Sequence, residues 1–226
     1  MIRFVSICPR KSVAVAVLTG LVSSPLLAQE SVAEQEVIEV IGITPTHGVG
    51  LPERVIPYNI QSATSEDIDR STSLDLADYM NRNLGSVTIN DAQNNPLQRD
   101  VQFRGFTLSL LLGLPQGLSV FQDGIRINEP FGDTMNWDLV PESSIASINL
   151  VGGANPIFGL NTLGGALSIT TKDGFTSPGH SLEVYGGSFE RVVTTIESGG
   201  NNGTWGYYIT GNYFDEEGWR DASESD

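Results

Sequence analysis

The stretch Val120-Phe121-Gln122-Asp123-Gly124-Ile125-Arg126-Ile127 decides the fold that we predict for this chain. Two β-prone runs, residues 118–122 and 125–128, flank the pair Asp123-Gly124, which is the strongest short hairpin signal in the sequence. In the tight turn that joins two such strands, both central residues need a positive φ, which Asp and Gly accept at low cost. The stretch therefore predicts a β-hairpin.

Further strand signals surround this hairpin on both sides. Residues 87–89 and 101–103 precede it, and residues 148–151 and 166–171 follow it, each as a short β-prone run. Because helical signals lie nearer the N-terminus, the pattern favours an α+β domain with a small mixed sheet and short helices. We assign residues 55–174 to this domain.

Two short helices are predicted ahead of the first of these strands. Ser65-Glu66-Asp67-Ile68 has the composition of a capped helical turn. The second helix opens at Thr72-Ser73-Leu74-Asp75, with Thr72 or Ser73 as its N-cap and acidic residues in the first turn, where the helix dipole favours them. Gly85 is placed to end this helix at the C′ position.

Longer, strictly alternating strands follow Gly174. The pattern is clearest in the third strand, where one face carries Trp205, Tyr207, Ile209, Gly211 and Tyr213. Aromatic residues at both ends of a strand of about 9–11 residues are typical of a transmembrane β-barrel, although a soluble sheet would also alternate. Since a closed barrel needs about eight or more strands, we expect residues 175–226 to be the first three or so antiparallel strands of an incomplete transmembrane β-barrel, truncated here.

The N-terminal residues 1–28 have the order of a secretory signal peptide. An uncharged apolar run, residues 13–22, leads to Ala28 and Gln29, between which cleavage is predicted. Three basic residues precede the run: Arg3, Arg10 and Lys11. A membrane anchor is the alternative, but the run is short for a span of about 20 residues. The export signal favours the barrel over the soluble sheet.

Composition excludes several classes of function. The formal net charge is −15, which argues against nucleic acid as a partner, because phosphate binding requires an excess of basic residues. The only cysteine, Cys8, lies in the predicted signal peptide, so the mature chain is expected to have no disulfide and no thiol chemistry.

Residues 29–54 read as an arm between the signal peptide and the compact domain. The segment 36–42 is short and β-prone and stands alone, and residues 44–52 are rich in Pro and Gly, which is typical of a linker.

Three stretches of the compact domain resemble the plug domains of TonB-dependent outer-membrane receptors. Val101-Gln102-Phe103-Arg104-Gly105-Phe106 is similar to the IRGF element of that family, and the hairpin at residues 120–127 is similar to its VYlDGvpv element. The segment from Asn155 to Lys172 resembles the closing YG..a.GGvInI.TK element. The stretches occur in the family's order.

The resemblance implies a plug inside a barrel of about 22 strands, in the bacterial outer membrane, with plug and N-terminal arm accessible to the periplasm. It also implies a coupling peptide, the TonB box, which we place at Glu36, Val37, Ile38, Glu39, Val40 and Ile41. An extended β-branched peptide can add as a strand to the sheet edge of a partner, here a TonB-type energy transducer of the periplasm.

By the same resemblance, the loop after the hairpin faces the incoming ligand at the apex of the plug. The candidate ligand-facing residues are Arg104, Asn128, Glu129, Phe131 and Asp133; a solvated loop is the competing interpretation. The family often carries Arg and Glu before the position of Gly152, whereas this chain has neutral Ser147, Asn149 and Val151 there, so no charge latch between plug and barrel is expected at those positions.

The function that follows is TonB-dependent uptake of a scarce nutrient, such as an iron–siderophore complex, cobalamin or an oligosaccharide. The expected partners are the transducer, the small-molecule ligand, the outer membrane and the remainder of the barrel. A plug-only binding module that contacts ligand or transducer without transport is the alternative. A hydrolase built on Glu129, Asp133 or Asp138 is disfavoured, because the sequence holds no nucleophile elbow, phosphate loop or metal-ligand cluster. We therefore expect neither enzyme activity nor a cofactor or metal.

Overall fold

The computed structural model describes residues 40–42, 50–52, 59–73, 75–91, 95, 97–154 and 158–217. These residues form an α+β domain followed by a separate three-stranded antiparallel sheet, as predicted. The predicted signal peptide with its cleavage site at Ala28 and Gln29, and positions 36–39 of the coupling segment, lie outside the described residues.

The helices are α1 (Ser65–Ser71) and α2 (Leu76–Asn83), and two 3-10 turns span Trp137–Leu139 and Glu142–Ser144. The strands, in chain order, are β1 (Val40–Gly42), β2 (Gly50–Pro52), β3 (Ile60–Thr64), β4 (Val87–Asn90), β5 (Asp100–Phe103), β6 (Phe106–Leu108), β7 (Leu118–Gln122), β8 (Ile125–Arg126), β9 (Ile145–Gly152), β10 (Gly165–Thr171), β11 (Gly179–Gly186), β12 (Val192–Asn201) and β13 (Gly206–Asp215).

The central sheet has the strand order β3-β9-β10-β7-β8 and is mixed, since β10 pairs parallel to β7 and antiparallel to β9. Its strands alternate, so one face buries Val120, Ile148, Leu150, Leu167 and Ile169 in the main core. Both helices and the small sheet β4-β5-β6 contribute to the same core. Burial of this apolar face against the helices stabilises the domain.

The predicted hairpin is confirmed at its turn. Asp123 and Gly124 have φ values of 48° and 80°, the pair of positive angles that a tight hairpin turn requires. The Asp123 carboxylate also accepts hydrogen bonds from the backbone N–H and the hydroxyl of Thr171, at 2.9 and 2.7 Å, which ties the turn to the end of β10. The second strand, β8, is shorter than predicted and ends at Arg126.

The caps of the helices differ in part from the prediction. Thr64 forms a reciprocal capping box with Asp67 at the start of α1. The N-cap of α2 is Asp75, whose carboxylate accepts the N–H of Asp78 at 2.7 Å, so the assignment to Thr72 or Ser73 was wrong. Thr72 instead ends α1 in the left-handed region, with φ 49°.

The N-terminal arm holds a short hairpin that the sequence did not predict. β1 pairs antiparallel with β2, with Ile41 opposite Leu51. The linker prediction for residues 44–52 was therefore wrong at Gly50–Pro52. Strands β3 and β6 were also not predicted.

The sheet β11-β12-β13 is antiparallel throughout, and its register sets two distinct faces. Leu182 lies opposite Ile196, which lies opposite Gly211, and all three are on the outward face predicted from alternation. The opposite face includes Glu197 and Thr210, which are also directly paired.

Close packing holds the central domain to this sheet at Gly174. A Cβ atom at Gly174 would lie only 2.4 Å from the backbone oxygens of Gly200 and Tyr207, so no side chain fits there. The Asn201 amide donates to the carbonyl of Gly174 at 2.7 Å. The connection between β10 and β11, which contains Gly174, is thus held against the turn between β12 and β13.

Candidate functional site

Three loops gather at one end of the central sheet, and we call them the apical loops: residues 109–117, residues 128–134, and the described residues 153–154 and 158–164. The first precedes β7, the second follows β8, and the third joins β9 to β10. β7 and β10 are parallel, while β8 and β9 run antiparallel to their neighbours. The starts of β7 and β10 and the ends of β8 and β9 therefore lie at the same end of the sheet.

Contacts between each pair of loops fix their positions. The Gly164 N–H donates to the carbonyl of Gly117 at 2.8 Å, joining the third loop to the first. A Cβ at Gly132 would lie 2.7 Å from Cδ2 of Leu112, so the second loop lies directly against the first. The Asn161 amide donates to the Asp133 carboxylate, which joins the third loop to the second.

Asn128, predicted to face the ligand, is buried and holds the second loop in place. Its Oδ1 accepts the Val120 N–H at 2.7 Å, and its Nδ2 donates to the carbonyls of Leu118 and Asp133 at 3.2 and 3.1 Å. Only 7% of its surface is exposed. Asn128 thus supports the loop, and ligand contact by its side chain stays a prediction.

Asp133 is half-buried, and its carboxylate accepts hydrogen bonds from two side chains. Its Oδ1 accepts from Nη2 of Arg126 at 2.9 Å, and its other oxygen accepts the amide of Asn161. Glu129 and Phe131 are exposed on the same loop, Phe131 at 77%. For Glu129, Phe131 and Asp133, ligand contact stays a prediction.

Arg104 lies at the base of the third loop. Its guanidinium is stacked over the Phe103 ring at 5.0 Å from the centroid, and its Nη1 is 3.0 Å from the position a Cβ would take at Gly152. Its backbone is left-handed, with φ 53°. A side chain at position 152 would displace the guanidinium, so the position of Arg104 requires glycine there. A ligand role for Arg104 stays a prediction.

A polar linkage at the other end of the domain was not predicted. Lys172, at the end of the closing motif, forms a salt bridge of 3.1 Å to Glu197 on β12, and its side chain is only 7% exposed. The Tyr208 hydroxyl lies 2.7 Å from the same Glu197 oxygen. A charge latch therefore exists between plug and strands, at positions other than the neutral 147, 149 and 151.

A second set of contacts lies beside this latch. The hydroxyl of Ser143 is 2.6 Å from that of Thr210 and 3.2 Å from Oδ1 of Asn212. These bonds join the 3-10 turn Glu142–Ser144 to the polar face of β13, which lies opposite the outward face. No single local signal could have found them, because the partners are 67 and 69 residues apart.

An acidic group with an altered pKa lies in the same turn. Burial raises the pKa of Glu142 to about 8, and the nearby Asp75, Asp69 and Asp78 carboxylates add to the effect. The Ser73 hydroxyl donates to Glu142 at 3.3 Å, which opposes it. Burial also raises the pKa of Asp75. The raised pKa favours the neutral form of Glu142, which reduces repulsion within this cluster.

Among the described residues, no group of three or more His, Cys, Asp or Glu side chains is arranged to hold a metal ion. A helix with the length and apolar character to cross a membrane is likewise absent from this part of the chain.

The fold agrees with comparisons to known proteins. Residues 52–166 match the family model "TonB-dependent Receptor Plug Domain". The chain therefore belongs to the TonB-dependent receptor plug family, whose members are receptors and transporters rather than enzymes. Among curated proteins, none matches the sequence.

Three of the similar solved structures are receptors from different organisms. FpvA of P. aeruginosa, bound to a heterologous pyoverdine with iron, shares 18% identity at a TM-score of 0.57, covering 74% of this chain and 21% of its own. BauA, the ferric preacinetobactin receptor of Acinetobacter baumannii, shares 18% at 0.56, covering 74% and 24%. The alcaligin outer-membrane receptor FauA of Bordetella pertussis shares 15% at 0.55, covering 77% and 29%.

The chain thus spans between a fifth and three tenths of the length of these receptors. At these identities the likeness shows the fold: a plug domain followed by strands of an unclosed barrel.

Proposed function

We propose that this chain is the N-terminal part of an outer-membrane receptor that imports a small nutrient by TonB-dependent transport. One observation carries the proposal. The plug contacts the polar face of the sheet β11-β12-β13 through the Lys172–Glu197 latch, while the opposite face of that sheet presents apolar side chains outward.

The outward face suits lipid better than water. Leu182, Ile196, Ile209 and Tyr213 are 57%, 55%, 66% and 59% exposed there. A transmembrane barrel strand alternates in this manner, apolar toward the bilayer and polar toward the lumen. A plug-only binding module, the alternative function, would have no use for such a face, so the arrangement favours the transporter.

The arm supplies the proposed link to the energy transducer. Val40 and Ile41, the last two residues of the proposed TonB box, are already extended in β1, which pairs with β2 on one edge only among the described strands. An extended strand with a second edge can add to the sheet of a partner through backbone hydrogen bonds. Residues 36–42 are thus proposed as the binding segment.

The test is a titration of the C-terminal domain of the transducer with a peptide of residues 36–42. A Val40→Pro peptide lacks a backbone donor and should bind at least about tenfold more weakly. A Val40→Thr peptide keeps the N–H group and the β-branched shape, so it should bind like the parent. Equal affinity of the Pro and parent peptides would contradict strand addition.

Three receptors of similar fold are described by ligands that are siderophores, namely pyoverdine, preacinetobactin and alcaligin. Because the identities are 15–18%, these names support a nutrient receptor in general, and the ligand chemistry has to be argued from the loops of this chain.

A further inference from the structure

The turn between β12 and β13 contains the only Asn-Gly pair of the sequence, Asn202-Gly203. In such a pair the backbone nitrogen of the second residue can attack the side-chain carbonyl carbon of the asparagine and close a succinimide ring. Glycine favours this attack, because it has no Cβ beside the attacking nitrogen. Both residues are exposed, so water has access to the ring once it has formed.

The side-chain carbonyl of Asn202 is held by the backbone of its own turn. Its Oδ1 accepts the N–H of Thr204 at 3.0 Å and the N–H of Trp205 at 2.7 Å. Attack at Cγ places negative charge on this oxygen, and two N–H donors at such distances stabilise a developing oxyanion. The turn therefore gives the Asn202 amide the electrostatic assistance that acyl-transfer sites give to their substrates.

The attacking nitrogen is placed by the same turn. The Gly203 N–H donates to Oδ1 of Asn201 at 3.3 Å, and Asn201 is itself anchored, because its Nδ2 donates to the carbonyl of Gly174 at 2.7 Å. Gly203 has φ 86°, and no atom lies within 4 Å of the position that a Cβ would take there. The nucleophile and the two donors to the oxyanion thus lie within one short turn.

We propose that Asn202 is a site of spontaneous deamidation and that its turn promotes the reaction. The Gly203 nitrogen bonds to Cγ of Asn202, its proton passes through solvent to the side-chain nitrogen, and that nitrogen leaves as ammonia. Water then opens one of the two carbonyls of the succinimide and leaves aspartate or isoaspartate at position 202. The sum is one water consumed and one ammonia released, with no oxidant or cofactor.

The two products affect the turn differently. Aspartate adds a negative charge and keeps an oxygen for the N–H groups of Thr204 and Trp205, and hydrogen bonds to a charged acceptor are stronger. Isoaspartate carries the main chain through the former side chain, which lengthens the turn by one carbon and removes that oxygen from its donors. Because all the reacting atoms lie in residues 201–205, the inference does not depend on the proposed receptor function.

The experiment uses the receptor expressed from its intact gene, placed in nanodiscs and incubated at physiological temperature and mildly alkaline pH. Trypsin cleaves after Arg191 and Arg220, so one peptide, residues 192–220, carries the turn. The same peptide, taken from receptor that was not incubated, is kept under the same conditions as the unfolded reference. Mass spectrometry follows the gain of about 1 Da on replacing the amide by an acid. Fragmentation assigns the position, and an isoaspartyl methyltransferase detects isoaspartate.

We expect Asn202 to deamidate at least as fast in the receptor as in the free peptide, with isoaspartate among the products and a rate that rises with pH. Asn201 and Asn212 are internal controls in the same peptide. They should react at least about tenfold more slowly, because the residue after each has a Cβ beside the attacking nitrogen. Asn202→Gln keeps the amide but requires a larger ring, so it should abolish the mass gain at this position.

Three results would overturn the proposal. The first is no mass gain at position 202, and the second is a gain without isoaspartate, which would mean direct hydrolysis without a ring. The third is a rate in the receptor more than about threefold below that of the free peptide, because the folded turn would then protect Asn202. None of these measurements uses a ligand or the transducer, so their outcome is separate from that of the strand-addition test.

Discussion

Strands β9 and β10 place their apolar side chains against helices, whereas β11 to β13 place theirs outward. In the plug, Ile148 and Ile169 are completely buried, while on β13 Ile209 is 66% exposed. Strands therefore serve two surroundings: β9 and β10 bury residues on both faces in the protein core, and β11 to β13 alternate, by our proposal with lipid on one face.

The difference shows what holds each region in place. The plug has its own core, with residues from both helices and two sheets. The three-stranded sheet has no helix covering its outward face among the described residues, and it joins the plug through polar groups such as Lys172, Glu197 and Ser143. Apolar burial stabilises the first region, and specific polar contacts orient the second.

Removing one apolar side chain from each region gives the largest expected contrast. Phe103→Ala should lower the free energy of unfolding by about 3–5 kcal/mol, because Phe103 is 1% exposed and its loss leaves a cavity. Ile209→Ala, at an outward position, should cost less than about 1 kcal/mol. Urea unfolding followed by tryptophan fluorescence measures both, since Trp137 lies in the plug core. Similar losses for the two variants would contradict the division into core and outward face.

The latch between the regions gives the next effect. Lys172→Met leaves the partly buried Glu197 carboxylate without its cation and should cost about 3 kcal/mol. Adding Glu197→Gln should recover part of that loss, because no unpaired charge remains. The same urea unfolding provides the measurement, as a double-mutant cycle. Strict additivity would show that the two groups do not interact.

The smallest effect is a dependence on pH at Glu142. Because burial raises its pKa to about 8 in the folded chain, against an ordinary value of 4.5, the folded state holds a proton that the unfolded state releases between these values. Its contribution to stability is thus fully present below pH 4.5 and is lost as the pH rises through about 8.

We expect the free energy of unfolding to fall by roughly 1–3 kcal/mol between pH 5 and 8 from this group. Glu142→Gln should remove most of that slope, since the amide still accepts from Ser73 and carries no charge. Asp75, whose pKa is also raised, leaves a smaller slope of the same sign. An unchanged slope in the variant, measured by unfolding at a series of pH values, would exclude Glu142 as its source.

Much of the fold could be predicted from local pattern. The turn at Asp123-Gly124, the strand at Leu118–Gln122 and the alternating faces of β11 to β13 depend on residues next to one another, and the structure confirms them. The α2 cap was missed because three neighbouring polar residues compete for it, and only the path of the chain after α1 selects Asp75.

The site was predicted less completely, because its contacts join distant parts of the chain. The sequence placed Asn128 and Asp133 on the loop after the hairpin, but it could not show that Asn128 is buried by bonds to Leu118 and Val120. The exposure of Leu112 and Leu160 in the apical loops carries no local signal, since an exposed leucine and a buried one look alike in sequence.

By itself, then, the sequence determined the class of fold, the order of the plug motifs and the alternation of the strands, all of which depend on composition and spacing within a few residues. The tertiary structure decided which polar groups meet: Lys172 with Glu197, 25 residues apart, and Ser143 with Thr210, 67 residues apart. Such pairs form only after the sheets have packed, because packing brings together side chains that no short stretch contains.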